Sequence, residues 1–317
     1  MHHKLVIIGA GISGSLALKY FSSYDPVVFE AKSKTALSDH KAVMRLRDQR
    51  IGMLLGVSSR EIDVDKQILF RDNLYWESSI QMRNLYSRKV CDSILSRSAS
   101  DLGIKKRYLM SNANFVAEYD HEFVGIEDGL LVILDRINNQ TKFVSYDFCI
   151  STIPLPILIK KLSLKYEIKF QAEPIYVMRS KLNILSEVNQ TIYVPENEYK
   201  IYRMTLQEGE LILESFGGYP NESEISSLIC YFGISLDCCL KFDKIEQKYG
   251  KILPIDSIVR RSIVFELTEK FRIFSLGRYA LWKSIRTDDL IKDLEKIQRM
   301  VSVSAICRKY EEKLDES

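Results

Sequence analysis

The feature that most constrains the fold of this chain is a glycine pattern close to its N-terminus. Residues 4–8 (KLVII) form a short apolar, β-branched run that leads directly into residues 9–14 (GAGISG). Apolar residues then recur on one helical face until Asp25-Pro26, and residues 27–29 (VVF) predict a second strand that ends at Glu30. The order strand, glycine turn, helix, strand and acid predicts a Rossmann-type βαβ unit that binds a dinucleotide.

Each residue of this pattern has its own predicted role in cofactor binding. Gly9 permits the tight turn out of the strand, Gly11 lets the pyrophosphate approach the backbone, and Gly14 lets the helix pack closely on the strand. Ser13 lies in the first helical turn, where unpaired N–H groups and the helix dipole attract phosphate. Glu30, 21 positions after Gly9, is expected to accept hydrogen bonds from a ribose diol and to disfavour the 2′-phosphate of NADP.

The composition sets limits on the class of protein. With 46% hydrophobic and 27% charged residues in 317, the chain can bury a sizeable core. No apolar run approaches the roughly 18 residues of a membrane-spanning helix, and no secretory signal is visible, so we expect a cytoplasmic protein. A net charge of +3 does not by itself indicate nucleic-acid binding. Six scattered cysteines without a C-x-x-C pair, and four histidines, predict reduced thiols and no metal site.

The rest of the chain predicts a two-part α/β protein. Residues 123–152 alternate like a β-meander, residues 272–276 predict a strand, and Leu290, Leu294, Ile297 and Val301 form the apolar face of a terminal helix. We expect a discontinuous FAD-binding domain, with a parallel sheet plus the meander, from residues 1–75, 110–156 and 266–317. Residues 76–109 and 157–265 are expected to form a second, α+β substrate or cap domain.

Two later segments favour FAD over NAD. Residues 149–156 (CISTIPLP) resemble the strand by which the chain leaves the FAD domain in UDP-galactopyranose mutases and amine-oxidase-like flavoproteins. Residues 277–283 (GRYALWK) resemble the C-terminal flavin motif of the same families. The resemblance implies that Gly277 and Arg278 lie beside FAD and that the last helix, with Thr287 as a predicted N-cap and Asp288 in its first turn, points its N-terminus at the flavin pyrimidine ring.

A second resemblance concerns the segment after the cofactor strand. Residues 40–47 (HKAVMRLR) and 64–68 (VDKQI) are similar to phage flavoproteins of thymidine hypermodification. Those enzymes oxidatively cleave an amino acid joined to the thymine methyl group, so this resemblance implies a modified base, with DNA as the carrier of the substrate, in the cytoplasm of a phage host. The histidine-rich glycine loop usual in the mutases after the second strand is missing, and this departure puts mutase activity in doubt.

Arg45, Lys66 and Arg203 are the predicted catalytic groups, and Arg47 is considered with Arg45. Arg45 and Arg47 alternate in a short β-like run, where one is expected at the flavin pyrophosphate and the other at a substrate anion. Lys66 is expected to contact flavin N5 through water, as lysines do in amine oxidases. Arg203 is a further partner for a substrate carboxylate. The plain alternative for Arg45, Arg47 and Lys66 is an exposed side chain facing water.

Aromatic and basic residues are mixed in residues 75–76 (YW) and 86–89 (YSRK), a composition suited to stacking a base and binding its phosphate. A DNA substrate would then lie along a groove formed by Arg45, Arg47, Arg88 and Lys89. Trp282 and Lys283 complete the predicted contacts. Packing in the core is the alternative for the aromatic residues.

Three functions remain open at this stage. The leading prediction is an oxidoreductase of amine-oxidase type, in which a hydride moves from a C–N bond to FAD and the imine is hydrolysed. The second is a sugar-nucleotide mutase that uses reduced FAD without net redox change. The third is a flavin-binding scaffold without turnover.

Overall fold

A computed structural model describes residues 2–34, 45–91, 93–110 and 116–315, without the side chains of residues 93, 94 and 304–315. Within these ranges the chain forms fourteen strands and eight helices. The strands are β1 (His2–Ile8), β2 (Val27–Phe29), β3 (Ser59–Phe70), β4 (Asn73–Tyr75), β5 (Gly103–Met110), β6 (His121–Glu127), β7 (Leu130–Asp135), β8 (Gln140–Ser151), β9 (Ala172–Lys181), β10 (Asn189–Tyr193), β11 (Ile201–Gln207), β12 (Glu210–Ser215), β13 (Asp243–Ile252) and β14 (Ile273–Ser275). The helices are α1 (Ile12–Tyr20), α2 (Arg50–Leu55), α3 (Ile80–Val90), α4 (Ser93–Ser98), α5 (Leu155–Lys161), α6 (Glu222–Ile229), α7 (Ser257–Phe271) and α8 (Leu290–Asp315).

The first sheet contains the predicted βαβ unit. Its strand order is β2-β1-β8-β7-β6, and β14 pairs with the end of β8. The pairs β1–β2, β1–β8 and β8–β14 are parallel, whereas β6, β7 and β8 form the predicted antiparallel meander. The strand predicted at 272–276 is therefore the parallel neighbour of β8, and it delivers the C-terminal segment to the same sheet edge as the glycine turn.

Both faces of the first sheet are covered, which explains why β1 reads as one continuous apolar run. Leu5 and Ile7 pack with α1 and α8 in one cluster, whereas Val6 and Ile8 pack with α5, α7 and the meander in another. The predicted apolar face of the terminal helix is confirmed, because all four of its residues are buried in the first of these clusters.

The second sheet is mixed and has the order β13-β9-β12-β11-β10-β3-β4, with β5 paired to β3. One face packs on α6, and the other packs on α3 and α4. The fold class expected from the sequence, a Rossmann-type parallel sheet plus meander with a second α+β layer, is confirmed.

Sheet membership departs from the predicted division at two places. Residues 59–75 were assigned to the FAD-binding part, but β3 and β4 belong to the second sheet, because β3 pairs in parallel with β10 and antiparallel with β5. Most of α7 was assigned to the cap, but its buried Ile263 and Leu267 pack on the first sheet. The local sequence pattern indicates neither the strand pairing of β3 nor the packing of α7.

Candidate functional site

The glycine turn is closely packed on one side and open on the other. Gly9 has φ +98° and its N–H donates to Phe29 O at 2.8 Å, so the turn is pinned to the end of β2. A Cβ added at Gly14 would collide with the carbonyl oxygen of Gly9, so only glycine allows α1 this close to β1. At Gly11, in contrast, nothing lies within 4 Å of an added Cβ. The N-terminus of α1 therefore faces open space, as a phosphate site requires.

The Glu30 carboxylate lies directly against this turn. Its Oε2 accepts from the N–H of Ala10 at 2.8 Å, and its Oε1 accepts from the N–H of Lys32 at 2.9 Å. A carboxylate has about four acceptor positions, so two backbone bonds fix its orientation and leave capacity for a ribose diol. The structure thus places the predicted acid beside the predicted glycines.

Thr152 is a part of the turn to which the sequence analysis gave no role. Its N–H donates to Ile8 O at 2.9 Å, and its hydroxyl lies 3.0 Å from Ile8 O and 3.2 Å from Gly9 O. The end of β8 therefore holds the glycine turn in place. Residues 149–156 resemble the strand by which the chain leaves the FAD domain in flavoproteins. That resemblance was the sequence signal that could have identified Thr152.

The C-terminal segment reaches the glycine turn at Gly277, whereas the contact of Gly277 and Arg278 with FAD stays a prediction. Gly277 has φ +99°, and a Cβ added there would lie 3.2 Å from the Cβ of Ser13. Two predicted cofactor residues from opposite ends of the chain are thus in contact. Arg278 turns the other way, with Nη2 donating to Gly250 O at 3.1 Å, so its guanidinium is bound to β13 of the second sheet.

The prediction that Thr287 is the N-cap of the last helix is wrong. Residues 287–289 form a 3₁₀ turn ahead of α8, and the extended residue before it is Arg286. The Asp289 carboxylate accepts from the N–H of Arg286 at 3.0 Å and supplies the cap. Asp288 Oδ1 instead accepts from the N–H of Arg47 at 3.1 Å. Burial raises the pKa of Asp288.

The three predicted catalytic cations, Lys66, Arg45 and Arg203, lie on one face of the second sheet. Lys66 and Arg203 belong to this face through strand register, because Lys66 pairs with Thr191 and Arg203 with Tyr193. Arg45 lies across the same face, with Nη1 donating to Thr191 Oγ1 at 2.7 Å and Nε donating to Gln207 Oε1 at 2.9 Å. Burial, more than any neighbouring charge, lowers the pKa of Arg45 to about 10, so it remains cationic at neutral pH. The exposed alternative does not apply to these residues.

Arg203 is committed to an ion pair. Its guanidinium bonds both carboxylate oxygens of the fully buried Glu214, and Tyr202 donates its hydroxyl to the same carboxylate at 3.1 Å. Burial alone would lower the pKa of Arg203, but Glu214 raises it well above the usual value. Glu214 carries a buried charge at this face, and no motif in the sequence indicated it.

Lys66 is buried and bound to Asp101. Its ammonium contacts the Asp101 carbonyl and lies 3.2 Å from the carboxylate Oδ2, and it also lies 5.5 Å from the ring centroid of Tyr193. Lys66 and Asp101 are far apart in sequence, so pairing of the strands is required to reveal this contact. The approach of Lys66 to a flavin stays a prediction.

The two neighbouring residues Arg88 and Lys89, both predicted to contact DNA, differ in their surroundings. Arg88 is exposed, but the Lys89 ammonium donates to three backbone carbonyls, at 2.9 Å (Val194), 2.6 Å (Glu196) and 2.8 Å (Ile201). The assignment of Lys89 to a phosphate contact is therefore wrong, because its ammonium is occupied inside the fold.

The predicted aromatic contacts divide in the same way between surface and core. Trp76 is 58% exposed, whereas Tyr86 and Trp282 are buried in the core. Lys283 is exposed. Residues 40–44 of the segment that carries the phage resemblance lie outside the described residues, as does the side chain of Cys307.

Two other features, a metal site and a membrane-spanning helix, were also looked for among the described residues of the chain. Across the described ranges, no group of three or more His, Cys, Asp or Glu side chains is placed to hold a metal ion. In the same part of the chain, no helix combines the length and apolarity needed to span a membrane.

No family model and no curated protein sequence matches this chain. Solved structures do. A reduced UDP-galactopyranose mutase matches with a TM-score of 0.64 at 14% identity, over 96% of this chain and 94% of the other. A fatty acid isomerase from P. acnes that produces CLA matches with a TM-score of 0.66 at 12% identity, over 94% and 98%. A glycerol-3-phosphate dehydrogenase from Bacillus halodurans, complexed with FAD, matches with a TM-score of 0.54 at 12% identity, over 98% of this chain and 65% of the other.

These likenesses establish the fold. A UDP-galactopyranose mutase, one of the families that the two chain ends resemble, is among these structures, so the recognition from sequence is confirmed at the level of the fold. FAD, the cofactor expected from the sequence, is bound in the third of these structures. The phage resemblance finds no support among them.

Proposed function

We propose that this chain is an FAD-dependent enzyme that oxidises a C–N bond of an amine substrate. The observation that carries the proposal is the fit of the glycine turn to a dinucleotide. Gly11 is open where a pyrophosphate would lie, and Glu30 is fixed by two backbone N–H groups beside it. Gly9, Gly11, Ser13, Gly14, Glu30, Gly277 and the turn at residues 287–288 are the residues that would hold FAD.

When bound, FAD supplies the acceptor for a hydride. The residues of the chain then bind and orient the amine. The face of the second sheet that carries Arg45 and Lys66 is buried and cationic. A cation close to a substrate amine lowers the pKa of that amine. Arg45 and Lys66 would therefore favour the neutral amine, which is the form that can release a hydride.

A second candidate function is isomerisation with reduced FAD. It is favoured by the likeness in fold to a mutase and to a fatty acid isomerase. The two functions differ in electron balance, because an oxidation transfers two electrons to the flavin for each substrate molecule and an isomerisation transfers none.

Anaerobic mixing of the FAD-loaded protein with a panel of primary and secondary amines, amino acids and sugar nucleotides tests the proposal. We expect an amine to bleach the visible absorbance of the oxidised flavin, because the flavin accepts the hydride. Turnover that requires prior reduction by dithionite would establish the isomerase instead. Neither bleaching nor turnover with any member of the panel would favour the scaffold without catalysis.

An aminoacyl-thymine in DNA remains one substrate of the amine class. Since the side chains of Lys89 and Arg45 are both bound inside the fold, Arg47 and Arg88 are what remains of the predicted groove. We propose a cytoplasmic location for the reaction, in keeping with free thiols at Cys91, Cys149, Cys230, Cys238 and Cys239. A DNA duplex that carries glycyl-thymine should bleach the flavin and release glyoxylate. No binding of that duplex at low salt would remove DNA from the proposal and leave small amines.

A further inference from the structure

Four cationic side chains converge on the carboxylate of Asp101. Its Oδ2 lies 2.9 Å from Arg107 Nη2, 3.2 Å from Lys66 Nζ and 3.4 Å from Arg47 Nη2, and its Oδ1 lies 3.7 Å from Lys105 Nζ. We call these five residues the Asp101 cluster. One carboxylate is shared by four cations, so three positive charges remain uncompensated within the cluster.

This excess charge is partly withdrawn from water. The Lys66 and Arg107 side chains are 8% and 15% exposed, whereas Lys105 and Arg47 are 35% and 42% exposed and form the open side. Burial acts to raise the pKa of Asp101, but Lys66, Arg107 and Arg47 outweigh it and lower that pKa overall. Like charges held this close in a half-buried place repel one another, and a bound anion would relieve the repulsion.

The cluster is built by strand pairing and not by a single flexible loop. Lys66 pairs with Gly103, and Val64 pairs with Lys105, so Lys66, Lys105 and Arg107 share one face of β3 and β5. Arg47 approaches from the other side, and its backbone N–H is bound to Asp288 at 3.1 Å. The cluster therefore lies where the second sheet meets the turn that leads into α8.

We propose that the Asp101 cluster binds an oxyanion of the substrate, a phosphate or a carboxylate, with Asp101 as the internal counter-ion that the substrate anion partly replaces. Lysine and arginine side chains from three separate segments would then contact the anion. The identification with the substrate rests on the proposed function, whereas anion binding by the cluster does not. The substrate class that follows is an amine that carries an anionic group.

Titration of the FAD-loaded protein with inorganic phosphate tests the cluster directly. Calorimetry is performed at constant ionic strength, with chloride as the balancing salt. Lys105→Met should weaken phosphate binding about tenfold or more, because a charge-assisted hydrogen bond is lost. Lys106→Met is the matched control, because Lys106 is the next residue of β5, lies on the opposite face and pairs with Glu61. It should bind phosphate like the wild type, and equal losses in the two variants would overturn the proposal.

Asp101→Asn should change the affinity for phosphate in the opposite direction to Lys105→Met. Removing the internal carboxylate should tighten phosphate binding severalfold and enlarge the phosphate-induced rise in melting temperature. An ion-pair network with a purely structural role predicts no gain in phosphate affinity, and that outcome would contradict the proposal. Arg47→Met, on a separate segment, replaces Lys105→Met if that variant does not fold.

Two further titrations identify the kind of anion and test whether the anion site is distinct from the cofactor site. Acetate in place of phosphate tests a carboxylate, and binding of acetate but not phosphate would assign the cluster to a carboxylate substrate. If loading with FAD abolishes phosphate binding, the cluster belongs to the cofactor and the proposal is wrong. If neither anion binds while FAD remains bound, the anion site is refuted and the proposed flavoenzyme function still stands.

Discussion

Replacing Gly11 with alanine should weaken FAD binding and leave the fold intact. The backbone at Gly11 has φ −66° and ψ −176°, which alanine adopts without strain, and an added Cβ meets nothing within 4 Å. Because Gly11 is the N-cap of α1, the change should cost less than about 1 kcal/mol of unfolding free energy. The same methyl group would occupy the space proposed for the FAD pyrophosphate. Overpacking of about 1–3 kcal/mol there raises the Kd for FAD roughly 5- to 150-fold.

Gly14→Ala is the control variant for this test. Its added Cβ would collide with the carbonyl oxygen of Gly9, so the fold itself should lose stability, by about 1–3 kcal/mol or more. Urea unfolding gives the stability of both variants, and quenching of flavin fluorescence gives the Kd for FAD. A Gly11→Ala protein that binds FAD as tightly as the wild type would refute the placement of the pyrophosphate over this turn.

Three further predictions concern single side chains. Glu30→Gln should weaken FAD binding about tenfold, since a hydrogen bond to a charged group contributes roughly 1.5–3 kcal/mol, and Glu30→Lys should abolish FAD retention on gel filtration. Lys89→Met should lower the free energy of unfolding by about 2–3 kcal/mol, because three carbonyls lose their donor, whereas the exposed Arg88→Met should change it by less than about 0.5 kcal/mol in the same urea titration. The pKa of Asp101 is lowered in the folded protein, so its stabilising contribution is present above the unfolded value of 3.8 and is lost as the pH falls through the folded value. The difference in unfolding free energy between wild type and Asp101→Asn should therefore shrink in acid; a difference that is constant with pH would contradict the ion-pair assignment.

The cofactor half of the site could be predicted from the sequence because its information is local. Gly9, Gly11, Gly14 and Glu30 act through backbone conformation and a fixed spacing within one βαβ unit. Their pattern therefore indicates the geometry before any tertiary contact is known. Thr287 is an exception at the other end of the chain. Choosing between Thr287 and Arg286 as the N-cap depended on where the 3₁₀ turn begins, which a sequence pattern places only to within a few residues.

The substrate half could not be predicted in the same way, because its contacts arise from strand register. Lys66 meets Asp101 only because β5 pairs antiparallel with β3, which brings Gly103 opposite Lys66. A shift of one residue would turn Lys105 and Arg107 to the other face. Lys89 shows the converse, since a residue that is basic in a polar stretch of sequence became a buried donor to three carbonyls. The composition indicated that basic residues are present, but not which of them remain available to bind a ligand.

The segment around Arg45 and Arg47 links the two halves of the site. The Arg45 guanidinium is bound to Thr191 and Gln207 of the second sheet, whereas the Arg47 backbone is bound to Asp288, ahead of the last helix of the first. Arg47 also places its own guanidinium against Asp101. Arg45 and Arg47 therefore connect the second sheet, the Asp101 cluster and the turn proposed to face the flavin. Their contacts fix the positions of these three parts relative to one another. The proposed hydride transfer would require the reacting atoms within about 3–3.5 Å, and this tether would hold the two parts of the candidate site in place for it.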